Sequence, residues 1–563
     1  MPFLLLIAAA LVAWQLGSLG GPSRAPAGTS APSRSETRSD AGSMADVVAA
    51  SPREITPATP PGEAVIVELT EAPATRYNAP EFTEADQVYA DIVAQLERGN
   101  VVYDASLGRA ARELAYQHSV IGGLVPQDIV NFLLRGSGAV DRTVVQGYTA
   151  TGGDDLSAVG KRLENLLGSR AGAEIQRVGI GEAYIPGAAR PRYIAMLVSK
   201  RQIDVSPAPR TVQLNSTWQL TGTLPIGWEK PSALVLYPDD RMEAIEMQVV
   251  GRRFTLSVPS GDTSGFMDVS VSATGAFGPS PLMQLPVAIG VPLPTSYRGY
   301  TAADETDITT PEAAEELAFE LLNADRQRFG IPLLVRDREL DAVARAHGLD
   351  MRDNQFFGHY SDETGTPGDR LAAAAYRVAL HGENVASGRS IHGAEEGLMH
   401  SLGHRRNILQ GRFSRVGIGV AGKGTGKATQ WYLTQLFARP VLRVDGNSSA
   451  RRLVELMTDA RHDADAGQLT RVGKLDRVCE SVVESVAAGT TDGMASRVLE
   501  QAKAAGLTKS GAYAWVGVTT DLDELKLPPQ ATDPDYSHVG TAVAQLPDHP
   551  NGLIGVVILF TGG

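Results

Sequence analysis

The sequence predicts a multidomain α/β chain with one all-β sandwich set into it. Three observations carry this. A chain of 563 residues is too long for a single core when domains run to roughly 100–200 residues, so roughly three to five are expected. Helix-period segments that close on a strand occur in the first third, the second half and the last fifth of the chain. Between Thr211 and Gly290 the apolar period shifts to two, with turn residues between short runs.

Residues 1–20 read as a signal peptide or N-terminal anchor. Met1 to Leu19 is apolar apart from Trp14, Gln15 and Ser18, and Phe3 to Trp14 has the length of a signal h-region. The first basic residue is Arg24, so an uncleaved anchor is the alternative, and membrane contact is expected only through such a segment. Residues 21–61 are rich in Ser, Ala, Pro and Gly and form a disordered linker, having too few large apolar side chains to order themselves. Residues 62–206 mix helical patterns with a closing strand at Tyr193–Val198.

Residues 211–290 carry half-buried strand patterns at Trp218–Gly222, Ala233–Tyr237, Phe254–Val258 and Met267–Val271. Pro238-Asp239-Asp240, Gly251 and Ser260-Gly261-Asp262 punctuate them, as in a small immunoglobulin-like β-sandwich. Such a module fits a spacer or a surface for a protein partner. Residues 300–441 open with Thr310 as N-cap and Pro311 as first helical residue. A second helix from Leu340 places Leu340, Val343, Ala344, His347 and Met351 on one face, where His347 reads as a satisfied core residue. Strands at Val416–Val420 and Gln430–Phe437 close that unit around a Gly-rich turn. Residues 449–563 end in another strand pair, Val539–Val543 and Gly555–Leu559.

A weak repeat links these α/β segments. Arg415-Val416-Gly417-Ile418-Gly419 recurs as Arg177-Val178-Gly179-Ile180-Gly181, and Leu340-Asp341-Ala342-Val343-Ala344 has echoes at Leu107 and Leu475. Two readings are open: three copies of one fold with only the middle one keeping its motifs, or unrelated α/β domains with similar strand endings.

The formal net charge of −13 repels phosphate backbones, and no basic stripe with interleaved aromatics is present, so nucleic acid is not an expected partner. Cys479 is the only cysteine, which rules out an intramolecular disulfide. Its spacing with Leu475 and Val478 places it on a buried helical face as an inert thiol.

The most specific stretch strings together Phe357-Gly358-His359-Tyr360, Gly382-Glu383-Asn384-Val385-Ala386 and Ser401-Leu402-Gly403-His404-Arg405-Arg406-Asn407. With Leu322-Asn323-Ala324-Asp325-Arg326 before it and Tyr432–Phe437 after it, the ordered set resembles the bacterial branch of the CAP superfamily, shared by cysteine-rich secretory, antigen-5 and pathogenesis-related proteins. The resemblance covers about residues 311–438. It implies a central α-β-α sandwich, with degenerate CAP-like units at 62–206 and 449–563 if the repeat is real.

The resemblance also brings His359, Glu383 and His404 together as a metal set. Two imidazoles and a carboxylate can hold Zn2+ or another divalent cation with one position open for water. Their separations of 24 and 21 residues do not by themselves imply convergence. Relatives carry a second acidic residue near the position of Ser401, and Glu395 or Glu396 are candidates to replace it. The same side chains fit a hydrogen-bonded network that holds loops together, or catalysis without metal, with Glu383, His404 and Ser401 as candidate catalytic residues. Ser401 also fits a helix cap, and no Gly-x-Ser-x-Gly elbow is present. Asn384 and Asn407 are expected to tie loops to backbone. Arg405 and Arg406 fit either solvated or paired cations or a clamp on an anionic headgroup.

Three functions follow as expectations. One is an exported protein of the envelope or extracellular space, binding a divalent metal, a lipid or another small apolar ligand. A second is a metal-dependent hydrolase of peptide or cell-wall material. The third is a structural adhesion protein without catalysis.

Overall fold

Three four-stranded sheets with one shared strand order frame the chain. The computed structural model describes residues 62–562 apart from 80, 97, 143, 152–155, 168–174, 188–190, 202, 302, 427–428, 442–443, 509–510, 520, 524 and 546–553. The expected signal or anchor segment and the linker at 21–61 lie outside the described residues.

The first unit runs β1 (Ala64–Glu68), β2 (Arg76–Tyr77), α1 (Glu84–Ala94), β3 (Val101–Tyr103), α2 (Ala105–Ile121), α3 (Gln127–Gly136), β4 (Val144–Thr151), α4 (Ser157–Leu167), β5 (Gln176–Tyr184) and β6 (Arg192–Ser199). Its sheet has the order β3-β5-β6-β4. A β-sandwich follows, built from β7 (Asp204–Val205), β8 (Ala208–Pro209), β9 (Thr211–Val212), β10 (Thr217–Thr223), β11 (Glu229–Leu236), β12 (Met242–Ile245), β13 (Met247–Val250), β14 (Arg253–Pro259), β15 (Gly265–Gly275) and β16 (Gly278–Ile289). Its sheets, β13-β14-β10-β7 and β12-β11-β15-β16-β9, close on one core that includes Leu220, Val235, Phe254, Val269 and Leu285. The four strand patterns expected in this stretch fall on β10, β11, β14 and β15.

A linker strand, β17 (Ser296–Tyr300), pairs antiparallel with β1, so the first unit is completed by residues far downstream of it. The central unit comprises α5 (Pro311–Arg328), β18 (Val335–Arg336), α6 (Arg338–Asp353), α7 (Pro367–Ala373), β19 (Val378–Gly388), α8 (Ile391–His400), α9 (Leu402–Ile408), β20 (Arg415–Lys423) and β21 (Gln430–Pro440). The Thr310 hydroxyl caps α5 by accepting from Ala313 N, with Pro311 in the first turn. Asp337 caps α6, and Leu340, Val343, Ala344, His347 and Met351 form its buried face. The last unit holds α10 (Gly446–Asp463), β22 (Thr470–Arg471), α11 (Gly473–Ala487), α12 (Met494–Ala504), β23 (Ala512–Thr519), β24 (His538–Gln545) and β25 (Ile554–Thr561). Cys479 is buried in α11, where burial pushes its thiol pKa up.

The central sheet is β18-β20-β21-β19 and the last is β22-β24-β25-β23. Numbered within each unit, all three sheets therefore read 1-3-4-2, with the first strand parallel to the third and the other pairs antiparallel. The register aligns them residue by residue. Gly179 faces Leu197, which faces Gln146; Gly417 faces Leu436, which faces Glu383; Gly540 faces Leu559, which faces Ala514.

In each case the glycine lies under the backbone of a helix. A Cβ on Gly179 would stand 2.1 Å from the Leu107 carbonyl carbon, one on Gly417 2.2 Å from that of Leu340, and one on Gly540 2.4 Å from that of Leu475. Only a residue without a side chain lets helix and sheet approach this closely. Asp341 and Asp476 make matching contacts, each accepting from a strand N–H (Ile418, Thr541) and from an arginine (Arg336, Arg471). Buried Arg326 and Arg461, near the ends of α5 and α10, each donate to several loop carbonyls.

Gly417→Ala should lower the stability of the full chain by about 1–3 kcal/mol through overpacking against α6. Gly397→Ala, in an exposed part of α8 with nothing within 4 Å, should be neutral or stabilise by up to about 1 kcal/mol. Urea denaturation of the two variants checks this, and equal effects would contradict the close-approach account.

Candidate functional site

The His359–Glu383–His404 cluster is built at β19, an edge strand of the central sheet. Alternation along this strand sends Glu383 and Asn384 to opposite faces. Glu383 is buried, and both of its carboxylate oxygens are engaged. Oε1 accepts from His359 Nδ1 at 3.0 Å and lies 3.8 Å from His347 Nε2; Oε2 accepts from Arg370 Nη2 at 2.6 Å. Burial alone would raise the Glu383 pKa, but the His359 hydrogen bond, Arg370 and His347 outweigh it and hold the group ionised below its ordinary value.

Arg370 comes from α7, started by a reciprocal capping box between Thr366 and Asp369. It also donates to the carbonyls of His359 and Gly365, fixing the loop that carries His359. His347 is fully buried on α6 and donates from Nε2 to Gly358 O at 2.9 Å, while its Nδ1 has no partner. It is a buried core residue, as its helical position implies, with one ring nitrogen bonded and the other without a partner. Burial lowers its pKa despite the Glu383 charge.

His404, on α9, stands across from His359 with ring centroids 6.3 Å apart. Burial, with His359 and Arg142 nearby, holds its pKa down to about 3, so the imidazole is neutral. On the opposite face, Asn384 donates to His404 O and to Gln435 Oε1, Asn407 donates to Glu383 O and Asn384 Oδ1, and Gln435 donates to Glu395 Oε2 at 2.6 Å. The two asparagines thus tie loops to backbone as expected.

Ser401 begins α9, but its hydroxyl makes no capping bond and is buried without a partner. It neither caps the helix nor forms a nucleophile–base pair with His404. Glu395 and Glu396 do not complete the His359–Glu383 set. Glu395 turns to Gln435, and Glu396 faces Asp128 of the first unit, where burial and this second carboxylate push Asp128 up to about 7. Arg405 is buried over the Phe329 ring, 5.0 Å from its centroid.

A divalent ion would draw on His359, His404 and Glu383. Arg370 and His359 already occupy the carboxylate, and among the described residues no group of three or more His, Cys, Asp or Glu is arranged to hold a metal. In this arrangement the Arg370 guanidinium already supplies a positive charge beside Glu383.

The β15–β16 hairpin of the sandwich closes the cleft from outside. Phe277 O accepts from His359 N at 2.7 Å and Tyr360 N at 3.1 Å, and the Phe277 ring stacks on Phe356 at 5.4 Å. Gly358 has no room for a side chain, since a Cβ there would meet Phe277 O at 2.4 Å. Further along β16, Gln284 bonds His400 O and Leu402 N, next to α9. Sequence reasoning missed Arg370 and this hairpin, whose approach to the His359 loop leaves no periodic signal.

Two buried groups here act on stability in opposite pH directions. Burial lifts Glu395 well above the usual carboxylate range, so the fold keeps a proton that the unfolded chain releases above its ordinary 4.5. That contribution is full below this value and is lost as pH rises toward the folded pKa. His404 works the other way, withdrawing stability as pH falls from its ordinary 6.5 toward about 3. Glu395→Gln should therefore stabilise the chain by about 1–2 kcal/mol near pH 8 and have no effect near pH 4. Thermal melts at both pH values check it, and the same effect at both would contradict the protonated state.

The family model described as CAP, the cysteine-rich secretory protein family, matches residues 319–437. Among curated proteins, the uncharacterised protein YkwD of Bacillus subtilis is 34% identical over 137 residues, covering 23% of this chain and 53% of that protein. The uncharacterised membrane protein YlbC of the same organism is 30% identical over 155 residues, covering 26% of this chain and 42% of that protein. The chain thus spans about half the length of the curated relatives it matches. A solved extracellular protein containing a SCP domain from Bacillus anthracis is 22% identical, with 39% of this chain and 77% of that chain covered at a TM-score of 0.22. A cysteine-rich secretory protein from Staphylococcus aureus is 11% identical, with the same coverages and a TM-score of 0.19. Residues 319–437, which hold this site, are a CAP domain similar to those of bacterial relatives.

Proposed function

We propose that the chain is an exported, envelope-associated protein whose CAP cleft binds a ligand without cutting it. The observation that carries this reading is the full engagement of Glu383 by Arg370 and His359, beside a Ser401 hydroxyl that no base touches. A carboxylate held ionised below its ordinary pKa by a guanidinium is a weak general base, and a serine nucleophile needs a base beside it. Glu383 is an anchor for the cleft, and His404 is a neutral lining group.

The flanking units support a scaffold role. They share the central unit's strand order, and at the register position of Glu383 they carry Gln146 and Ala514. This favours degenerate CAP copies in which the carboxylate has become an amide or been lost. The sandwich, with β9 parallel to β16 at the end of its five-stranded sheet, fits an immunoglobulin-like spacer. Export rests on the apolar run Met1–Leu19. Among the described residues no helix is long and apolar enough to cross a membrane.

Purified full-length protein should release no product from denatured peptide substrates or peptidoglycan. Turnover abolished by both Glu383→Gln and His404→Gln would overturn the reading in favour of a hydrolase. Elemental analysis should find no stoichiometric metal; near-stoichiometric zinc lost in His359→Ala and His404→Ala would establish the ion site instead. Fractionation of producing cells should place the chain outside the cytoplasm, and a cytoplasmic pool alone would contradict export.

A further inference from the structure

The cleft contains a cation that the central domain does not supply. Arg142, in the loop between α3 and β4 of the first unit, donates from Nη1 to Pro281 O of β16 at 2.8 Å. The same strand touches the His359 loop beside Gly278 and is bonded to the start of α9 through Gln284. Residues 278–284 therefore run across the cleft from His359 to the His404 helix, with Arg142 fastened between them. At about 3.3 Å per residue that strand segment spans roughly 20 Å.

Charge around Arg142 is uncompensated. Among the described residues no carboxylate pairs with it, and its charged neighbour is another cation, Arg135. Glu383 cannot serve, being neutralised by Arg370. Neither ring nitrogen of His404 bonds within the described residues, and His359 uses only Nδ1. Burial and Arg135 push the Arg142 pKa down to about 10, and Arg142 in turn helps keep His404 neutral. A part-buried guanidinium with spare N–H groups, close enough to act on His404 and with no paired acid among the described residues, is a site short of one negative charge.

We propose that the CAP cleft, completed in cis by Arg142, takes a phosphate-type oxyanion, with Arg142 as the charged donor and His404 and His359 as hydrogen-bonding partners. The inference rests on the non-hydrolytic binding reading above and names its ligand chemistry. The oxyanion has two possible sources, free phosphate or a lipid headgroup; exposed Phe277 and Phe357 flank the His359 loop and would lie against acyl chains in the second case.

The test uses the full chain. Calorimetric titration with inorganic phosphate, at constant ionic strength in chloride buffer, should show one saturable site. Arg142→Gln should weaken it at least ~tenfold, whereas Arg142→Lys should stay within about threefold. Co-sedimentation with phosphatidylglycerol vesicles, against phosphatidylcholine vesicles, assigns the source: capture lost in Arg142→Gln without binding of free phosphate means a lipid headgroup. No binding of either probe, or binding unchanged in Arg142→Gln, overturns the proposal. If Arg142→Gln does not fold, phosphate or phosphatidylglycerol should protect wild-type Arg142 from phenylglyoxal in mass mapping, and absence of protection by both overturns it. Failure here leaves the non-hydrolytic reading standing, whereas turnover that depends on Glu383 would remove that reading whatever phosphate does.

Discussion

A buried carboxylate must be neutralised where it stands, and at Glu383 that requirement organises the cleft. Arg370 meets one oxygen and His359 the other, and each partner is itself held by backbone carbonyls or amides of the surrounding loops. Leaving such a charge unpaired would cost about 3–5 kcal/mol, so α7, the His359 loop and β19 are bound to one arrangement. The same pairing decides the chemistry. A carboxylate paired with a guanidinium is a weaker base, which supports the proposed reading of binding without hydrolysis.

The cleft is also not a property of the CAP domain alone. The sandwich hairpin at Phe277 bonds the His359 loop, Gln284 bonds the start of α9, and Arg142 of the first unit bonds Pro281 on the same strand. The scaffold around these contacts is extensive: Tyr77 bonds Pro286 O, Arg210 bonds the carbonyls of Ala74 and Gly136, and β1 pairs with β17. The first unit therefore reaches, through Arg142, the sandwich strand that borders the site.

Much of the frame was legible in the sequence because its causes are local. Period-two patterns located the sandwich strands, Thr310-Pro311 marked the start of a helix, and the repeated Arg-Val-Gly-Ile-Gly segments marked places where a helix backbone approaches too closely for a Cβ. His359, Glu383 and His404 were found through the family motifs and do converge around one cleft. What escaped depends on tertiary approach. Arg370 lies in a short helix with no visible motif beyond its capping box, Arg142 bonds a strand 139 residues away in sequence, and the Ser401 hydroxyl is left unbonded by the junction around it. No periodicity encodes such encounters.

The claim on which everything else depends is that Glu383 and Arg370 stabilise one another as a buried pair. A double-mutant cycle on the full chain, with Glu383→Gln, Arg370→Gln and the double variant compared by urea denaturation, measures this directly. The account predicts costly single substitutions and a double variant much less damaged than their sum, with a coupling of at least about 1.5 kcal/mol. Additive effects to within about 0.5 kcal/mol would mean that the carboxylate is not held by the guanidinium. Glu383 would then be free to act as a base or metal ligand.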